Sequence, residues 1–215
     1  MDPDFWHERW ENNQIGFHEG ETNALLEAHF GSLGLAGGSR VFLPLCGKTR
    51  DIAWLLHQGY RVAGAELSAT AINQLFADLT LAPEITNCDS LDRYSAPGID
   101  IFVGDIFDLA TDVLGPVDAI YDRAALVALP QGMRTAYAAH LTHLTATAPQ
   151  FLITFTYDQS MMEGPPFSVS EAEVRRLYES RYEITDTLRK DLQGGLKGQI
   201  AATEDVWLLQ PRQSG

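Results

Sequence analysis

Val41-Phe-Leu-Pro-Leu-Cys46-Gly47, and then Arg61-Val-Ala-Gly-Ala-Glu66-Leu67-Ser68, decide the architecture. Each is a short, nearly continuous apolar run, the pattern of a strand covered on both faces. Between them Ile52, Leu55 and Leu56 recur at helical spacing, so a helix is predicted over 49–57, with Gly59 as its stop. Strand, helix and strand in this order make a βαβ unit of a largely parallel sheet.

The alternation continues outward. Ser68 is a good N-cap for a helix striped by Ile72, Leu75, Phe76 and Leu79. Residues 82–98 are irregular and contain Pro83, Pro97 and Gly98, so no element is predicted there. Further strands are expected at 99–103, 117–121 and 151–157. A helix is expected from Pro130 to about Thr147, and another after the S-x-x-E pair Ser170 and Glu173. Residues 182–188 and 205–209 are expected to close the sheet as an antiparallel hairpin. Two short helical pieces, about 4–12 and 22–30, precede the first strand. A plain dinucleotide-binding sheet has six strands. Seven, ending in a hairpin, point to the methyltransferase variant: an α/β, Rossmann-like seven-stranded sheet with an antiparallel C-terminal hairpin and an N-terminal helical cover. Residues 1–215 are expected to be one domain, with 1–35 as the cover and 36–215 as the core.

Charge and composition exclude several functions. Lys plus Arg number 15 against 29 Asp plus Glu, a formal charge of −14. With no Lys/Arg-rich run, nucleic-acid binding is disfavoured. The start, MDPDFWHERW, lacks the basic-then-apolar layout of a secretory signal. No apolar stretch approaches the ~18 residues of a membrane span. Cys46 and Cys88 are expected to be reduced thiols, and the six His to form no metal site.

Ligands of open α/β sheets sit beyond the carboxyl ends of the strands. After the first strand stands a lone Gly47 with no G-x-G-x-x-G, which argues against a pyrophosphate cofactor. No Tyr-x-x-x-Lys pair supports a nicotinamide oxidoreductase either. Glu66, at the end of the second strand, is placed to accept hydrogen bonds from two ribose hydroxyls; the alternative is a solvated strand-end carboxylate. Asp105 and Ile106 end the third strand, where adenine would lie, although Asp105 could equally cap a turn. Arg123, after the fourth strand, faces the reactive end of a cofactor, unless Asp122 and Arg123 are a surface pair. Trp6 and Trp10 give the N-terminal helix an aromatic face, either docked or acting as a lid. Gly164-Pro-Pro-Phe167, after the fifth strand, reads as a rigid loop on the substrate side.

At FWHERWENNQIGFH (5–18), VFLPLCGKTRDIAWL (41–55), VAGAELS (62–68), GDIFDL (104–109), YDRAALVAL (121–129) and YDQSMMEGPPFSV (157–169), the sequence resembles the thiopurine S-methyltransferase family, in its bacterial form. The resemblance runs from about residue 5 to 210. It implies S-adenosylmethionine as methyl donor, with Trp10, Leu45, Glu66, Asp105, Ile106 and Arg123 as cofactor contacts. Phe17 would line the acceptor pocket, and Arg123 would also serve the acceptor as the catalytic residue. The family methylates aromatic and heterocyclic thiols, including thiopurines, and bacterial relatives are linked to selenium and tellurium species. A cytoplasmic monomer with a small-molecule partner, and no nucleic-acid or membrane partner, is expected. Around 189–204 the resemblance lapses.

Overall fold

In a computed structural model, residues 3–12, 14 and 20–212 are described, and the chain divides into two compact units, Met1–Ala119 and Ile120–Gly215. Five strands build the sheet of the first unit: β1 Arg40–Leu43, β2 Arg61–Glu66, β3 Glu84–Cys88, β4 Leu91–Ala96 and β5 Ile99–Val103. Their order is β3-β4-β5-β2-β1. β2 lies parallel to both β1 and β5, while β4 and β3 add an antiparallel edge. Its helices are α1 Pro3–Glu11, α2 Ala24–His29, α3 Asp51–His57, α4 Ala69–Asp78 and α5 Thr111–Leu114.

The expected βαβ pattern is present. Val41, Phe42 and Leu43 are buried, and so is every residue of β2 after Arg61. Gly64 sits mid-strand because a Cβ there would lie 2.7 Å from Ile101 Cδ1 and 3.0 Å from Cys46 Sγ. Ser68 caps α4 by accepting from the Ala71 N–H at 3.3 Å, and Ile72, Leu75 and Phe76 fill the core.

Two expectations are corrected. β1 stops at Leu43, short of Cys46, because the chain turns at Leu45, whose φ is +46°. Residues 84–96 form the β3–β4 hairpin, so the described residues contain nine strands where seven were expected. β3 is solvent-facing along most of its length and lacks the apolar alternation that would announce it. It exists because β4 pairs with β5, from Asp92 opposite Val103 to Ala96 opposite Ile99. The turn between β3 and β4 places Asp89 at φ +58°.

At the amino ends of these strands Asp100 gathers donors. Its Oδ1 accepts from Arg93 Nη2 at 2.7 Å and from Ser95 Oγ, and its Oδ2 accepts from Arg40 Nη2 at 3.1 Å. Burial alone would raise this carboxyl; Ser95, Arg93 and Arg40 outweigh it and hold it below the usual carboxylate range.

The second unit contains β6 Ala119–Arg123, β7 Gln150–Tyr157, β8 Tyr182–Asp191 and β9 Ala202–Pro211, with α6 Gln131–Leu144 and α7 Glu171–Tyr178. Its strand order is β6-β7-β9-β8. β6 and β7 are parallel, and β9 runs antiparallel to both β7 and β8. The terminal hairpin is thus as expected, but longer, and it carries an irregularity between Asp186 and Leu188. The Ser170 hydroxyl accepts from the Glu173 N–H at 3.4 Å, one half of the expected capping box. The Glu173 carboxylate instead accepts from Arg134 Nη1 at 2.7 Å. Among the described residues no helix is long and apolar enough to cross a membrane.

Candidate active site

In the first unit the carboxyl ends of β1, β2 and β5 lie side by side. The Cys46 N–H donates to the Ala65 carbonyl at 2.9 Å, and the Gly104 N–H to the Glu66 carbonyl at 2.9 Å. These bonds bring the turn after β1 and the turn after β5 to either side of Glu66.

The Glu66 side chain is not a solvated strand-end carboxylate: the residue is 6% exposed. Its Oε2 accepts from the Gly47 N–H at 2.8 Å and its Oε1 from the Ser68 N–H at 2.9 Å. A carboxylate offers about four lone-pair sites. With the Leu67 N–H also directed at this carboxylate, room remains for a hydroxyl donor. Burial pushes this carboxyl above its ordinary value, against the backbone donors of Ser68, Gly47 and Leu67. Donated hydroxyls would add to those donors.

The turn between Leu45 and Gly47 is strained, with φ +46° at Leu45 and φ +52° at Gly47. A non-glycine residue in this region costs about 1 kcal/mol or more and is found where surrounding structure holds it in place. Gly47 is also where Trp10 arrives: a Cβ there would lie 3.2 Å from Trp10 Cζ2. Trp10 is buried. The aromatic face of α1 therefore docks on the turn that anchors Glu66.

After β5, Asp105 is exposed and accepts from the Phe107 N–H at 3.0 Å, capping the turn Ile106–Asp108. The capping alternative holds for its Oδ1. Ile106 is buried. The first unit thus assembles Trp10, Leu45, Glu66, Asp105 and Ile106. Phe17 lies outside the described residues.

This donor set suits an adenosine cofactor without phosphates. The first turn of α3, where a pyrophosphate would sit, contains the buried carboxylate of Asp51, which accepts from the Asn23 N–H at 2.8 Å. A phosphate there would meet a negative charge. Burial and the Glu66 charge push the neighbouring Cys46 thiol well up, which disfavours its thiolate. Cys46 and Cys88 are both free thiols.

In the second unit Arg123 is the last residue of β6 and is half-buried. Asp122 is not its surface partner. That carboxylate is fully buried, with Oδ1 accepting from the Leu126 N–H at 3.1 Å and Oδ2 from Tyr137 Oη at 2.7 Å. Burial pushes it up to about 6 in spite of these donors. The loop after β7 is tied at both ends: the Phe167 N–H donates to the Val127 carbonyl at 2.6 Å, and Tyr157 Oη to the Pro166 carbonyl at 2.7 Å. Arg134, itself buried, places its guanidinium 5.7 Å from the Phe167 ring centroid. Sequence reasoning missed Gly47 and Ser68 as backbone donors to Glu66; the nineteen-residue separation of Gly47 and Glu66 was their only trace.

The family model described as thiopurine S-methyltransferase (TPMT) matches residues 1–211. A thiopurine S-methyltransferase of Xanthobacter autotrophicus is 59% identical, over 98% of this chain and 99% of its own. One from Teredinibacter turnerae is 52% identical over 97% of each. Among solved structures, a 1,6-didemethyltoxoflavin-N1-methyltransferase of Burkholderia thailandensis, with S-adenosylhomocysteine bound, has a TM-score of 0.65 at 15% identity, over 97% of this chain and 87% of that one. A TehB-like SAM-dependent methyltransferase of Corynebacterium glutamicum has a TM-score of 0.56 at 15% identity, over 98% of both chains. With the donor set of Glu66 and these full-length matches together, the chain belongs to the thiopurine S-methyltransferase family and is an enzyme that draws its methyl group from S-adenosylmethionine.

Proposed function

We propose that the chain methylates the sulfur of small aromatic and heterocyclic thiols, thiopurines among them. The observation that carries this reading is the family match over residues 1–211. The same reading makes residues 1–215 one methyltransferase domain covered by 1–35. It extends to selenium and tellurium species, soft nucleophiles like thiolates, and to a detoxifying role for a cytoplasmic monomer.

When bound, S-adenosylmethionine supplies a methyl group already activated by its sulfonium, open to in-line displacement. The chain's own part is to position and desolvate. Glu66 holds the ribose through the acceptor capacity that its backbone donors leave. Leu45 and Ile106 offer apolar surface to the nucleoside, and Trp10 covers it. Arg123 is assigned to the acceptor side, where its guanidinium favours the thiolate over the thiol. A heterocyclic thiol ionises readily, so its proton passes to water without a strong base. Phe17 is assigned to the acceptor wall.

Transfer of labelled methyl to a panel of thiopurines, thiophenols and selenite tests the reading. Turnover on the heterocyclic thiols, with a loss of 10-fold or more in Arg123→Ala, is expected. Cofactor binding without turnover on any thiol would overturn the acceptor assignment.

A further inference from the structure

We propose that Asp122 is a positioning residue for methyl transfer: its buried carboxylate anchors the backbone after β6, and thereby aims Arg123. The proposal rests on the reading of Arg123 as an acceptor-side residue.

The argument begins with the backbone. Directly after Arg123 the chain enters the left-handed region at Ala124, with φ +65°. An alanine has no conformational reason to be there, so something must hold it. Asp122 lies immediately before. Its Oδ1 accepts from Leu126 N–H at 3.1 Å, and the Ala125 N–H also faces the carboxylate. One side chain thus closes the turn 122–126 around the strained residue. Tyr137, from α6, donates to the other oxygen at 2.7 Å and fixes the carboxylate from below.

The same anchor reaches a second loop. Leu126–Ala128 is a single 3-10 turn, and its Val127 carbonyl accepts from Phe167 N–H at 2.6 Å. Arg134 Nε donates to the Leu129 carbonyl at 2.9 Å and Arg134 Nη1 to the Ser168 carbonyl at 3.2 Å. The loops after β6 and β7 are therefore one hydrogen-bonded assembly seated on Asp122 and Arg134.

A purely structural role would be served by an apolar residue. Taking a carboxylate fully out of water is costly, and replacing buried ions by apolar residues is often neutral or stabilising. The groups facing it are Tyr137 from α6 and Tyr178 from α7, whose buried hydroxyl has no hydrogen-bond partner. What the carboxylate adds to an apolar side chain is the set of acceptors for the turn behind Arg123.

The test uses Asp122→Val, Asp122→Asn and Tyr137→Phe, alone and combined with Arg123→Ala. Amide exchange at Ala125 and Leu126 reads the anchor without any acceptor, so it stands even if the thiol assignment fails. We expect exchange there to speed up 10-fold or more in Asp122→Val, less in Tyr137→Phe, and not at all around Glu66. We expect kcat/KM for thiols to fall about 10- to 100-fold in Asp122→Val, in the range that small misplacements produce. Asp122→Asn should recover part of it. Adenosine affinity should be unchanged. In the Arg123→Ala background the Asp122 substitutions should cost nothing further, because the two act as one unit. Unchanged exchange at Ala125 and Leu126, or effects that multiply with Arg123→Ala, would overturn the proposal. If Asp122→Val does not fold, Asp122→Asn and Tyr137→Phe decide it by the same two readouts.

Discussion

The Gly47 amide and the Glu66 carboxylate, nineteen residues apart, meet at 2.8 Å, so the turn after one strand holds the charged group at the end of the next. Hydrogen bonds to a charged group are worth about 1.5–3 kcal/mol each. Glu66→Ala should therefore weaken S-adenosylhomocysteine binding by about 10- to 100-fold or more in calorimetry. Unchanged affinity would remove Glu66 from the nucleoside site.

Gly47→Ala combines two effects. The φ of +52° is unfavourable for alanine, and the new methyl would press on Trp10 at 3.2 Å. A destabilisation of about 1–2 kcal/mol is expected. Cofactor affinity should drop several-fold with it, because the Gly47 N–H can no longer keep its place opposite Glu66. Chemical denaturation and titration of the same variant check both.

Asp122 predicts a pH dependence of stability. Its carboxyl, raised to about 6 from an ordinary 3.8, binds a proton more tightly in the folded than in the unfolded chain. The contribution is full below the unfolded value and is lost as pH rises through the folded one. Between pH 4 and 6 the wild type should lose about 2 kcal/mol through this group relative to Asp122→Asn. Parallel stability curves for the two proteins over that range would contradict the assignment.

Asp100 predicts the opposite separation of effects. Asp100→Ala removes the common acceptor of Arg40, Arg93 and Ser95, and should cost about 1–2 kcal/mol given its partial exposure. Both kcat and KM should stay at wild-type values, as steady-state kinetics can check.

The legible parts of the fold were those whose burial leaves a pattern. β1, β2 and α4 write their apolar periodicity directly, and Ser68 its cap. The β3–β4 hairpin wrote nothing, because a strand with most of its side chains in water can be as polar as a loop; its pairing with β5 is a tertiary fact. Of the candidate residues, Glu66 and Arg123 are named from strand ends alone. The surface pair of Asp122 and Arg123, open as an alternative in the sequence, is removed by the structure, because successive side chains on a strand point to opposite faces. That alternation sends Asp122 inward, to Tyr137.

Trp10 has a consequence of another kind. Its indole rests on the turn whose Gly47 amide binds the Glu66 carboxylate. The chain thus contains its own optical probe of donor arrival. With Trp6, Trp54 and Trp207 replaced by phenylalanine, the remaining emission would report occupancy in real time, without labelled donor or acceptor.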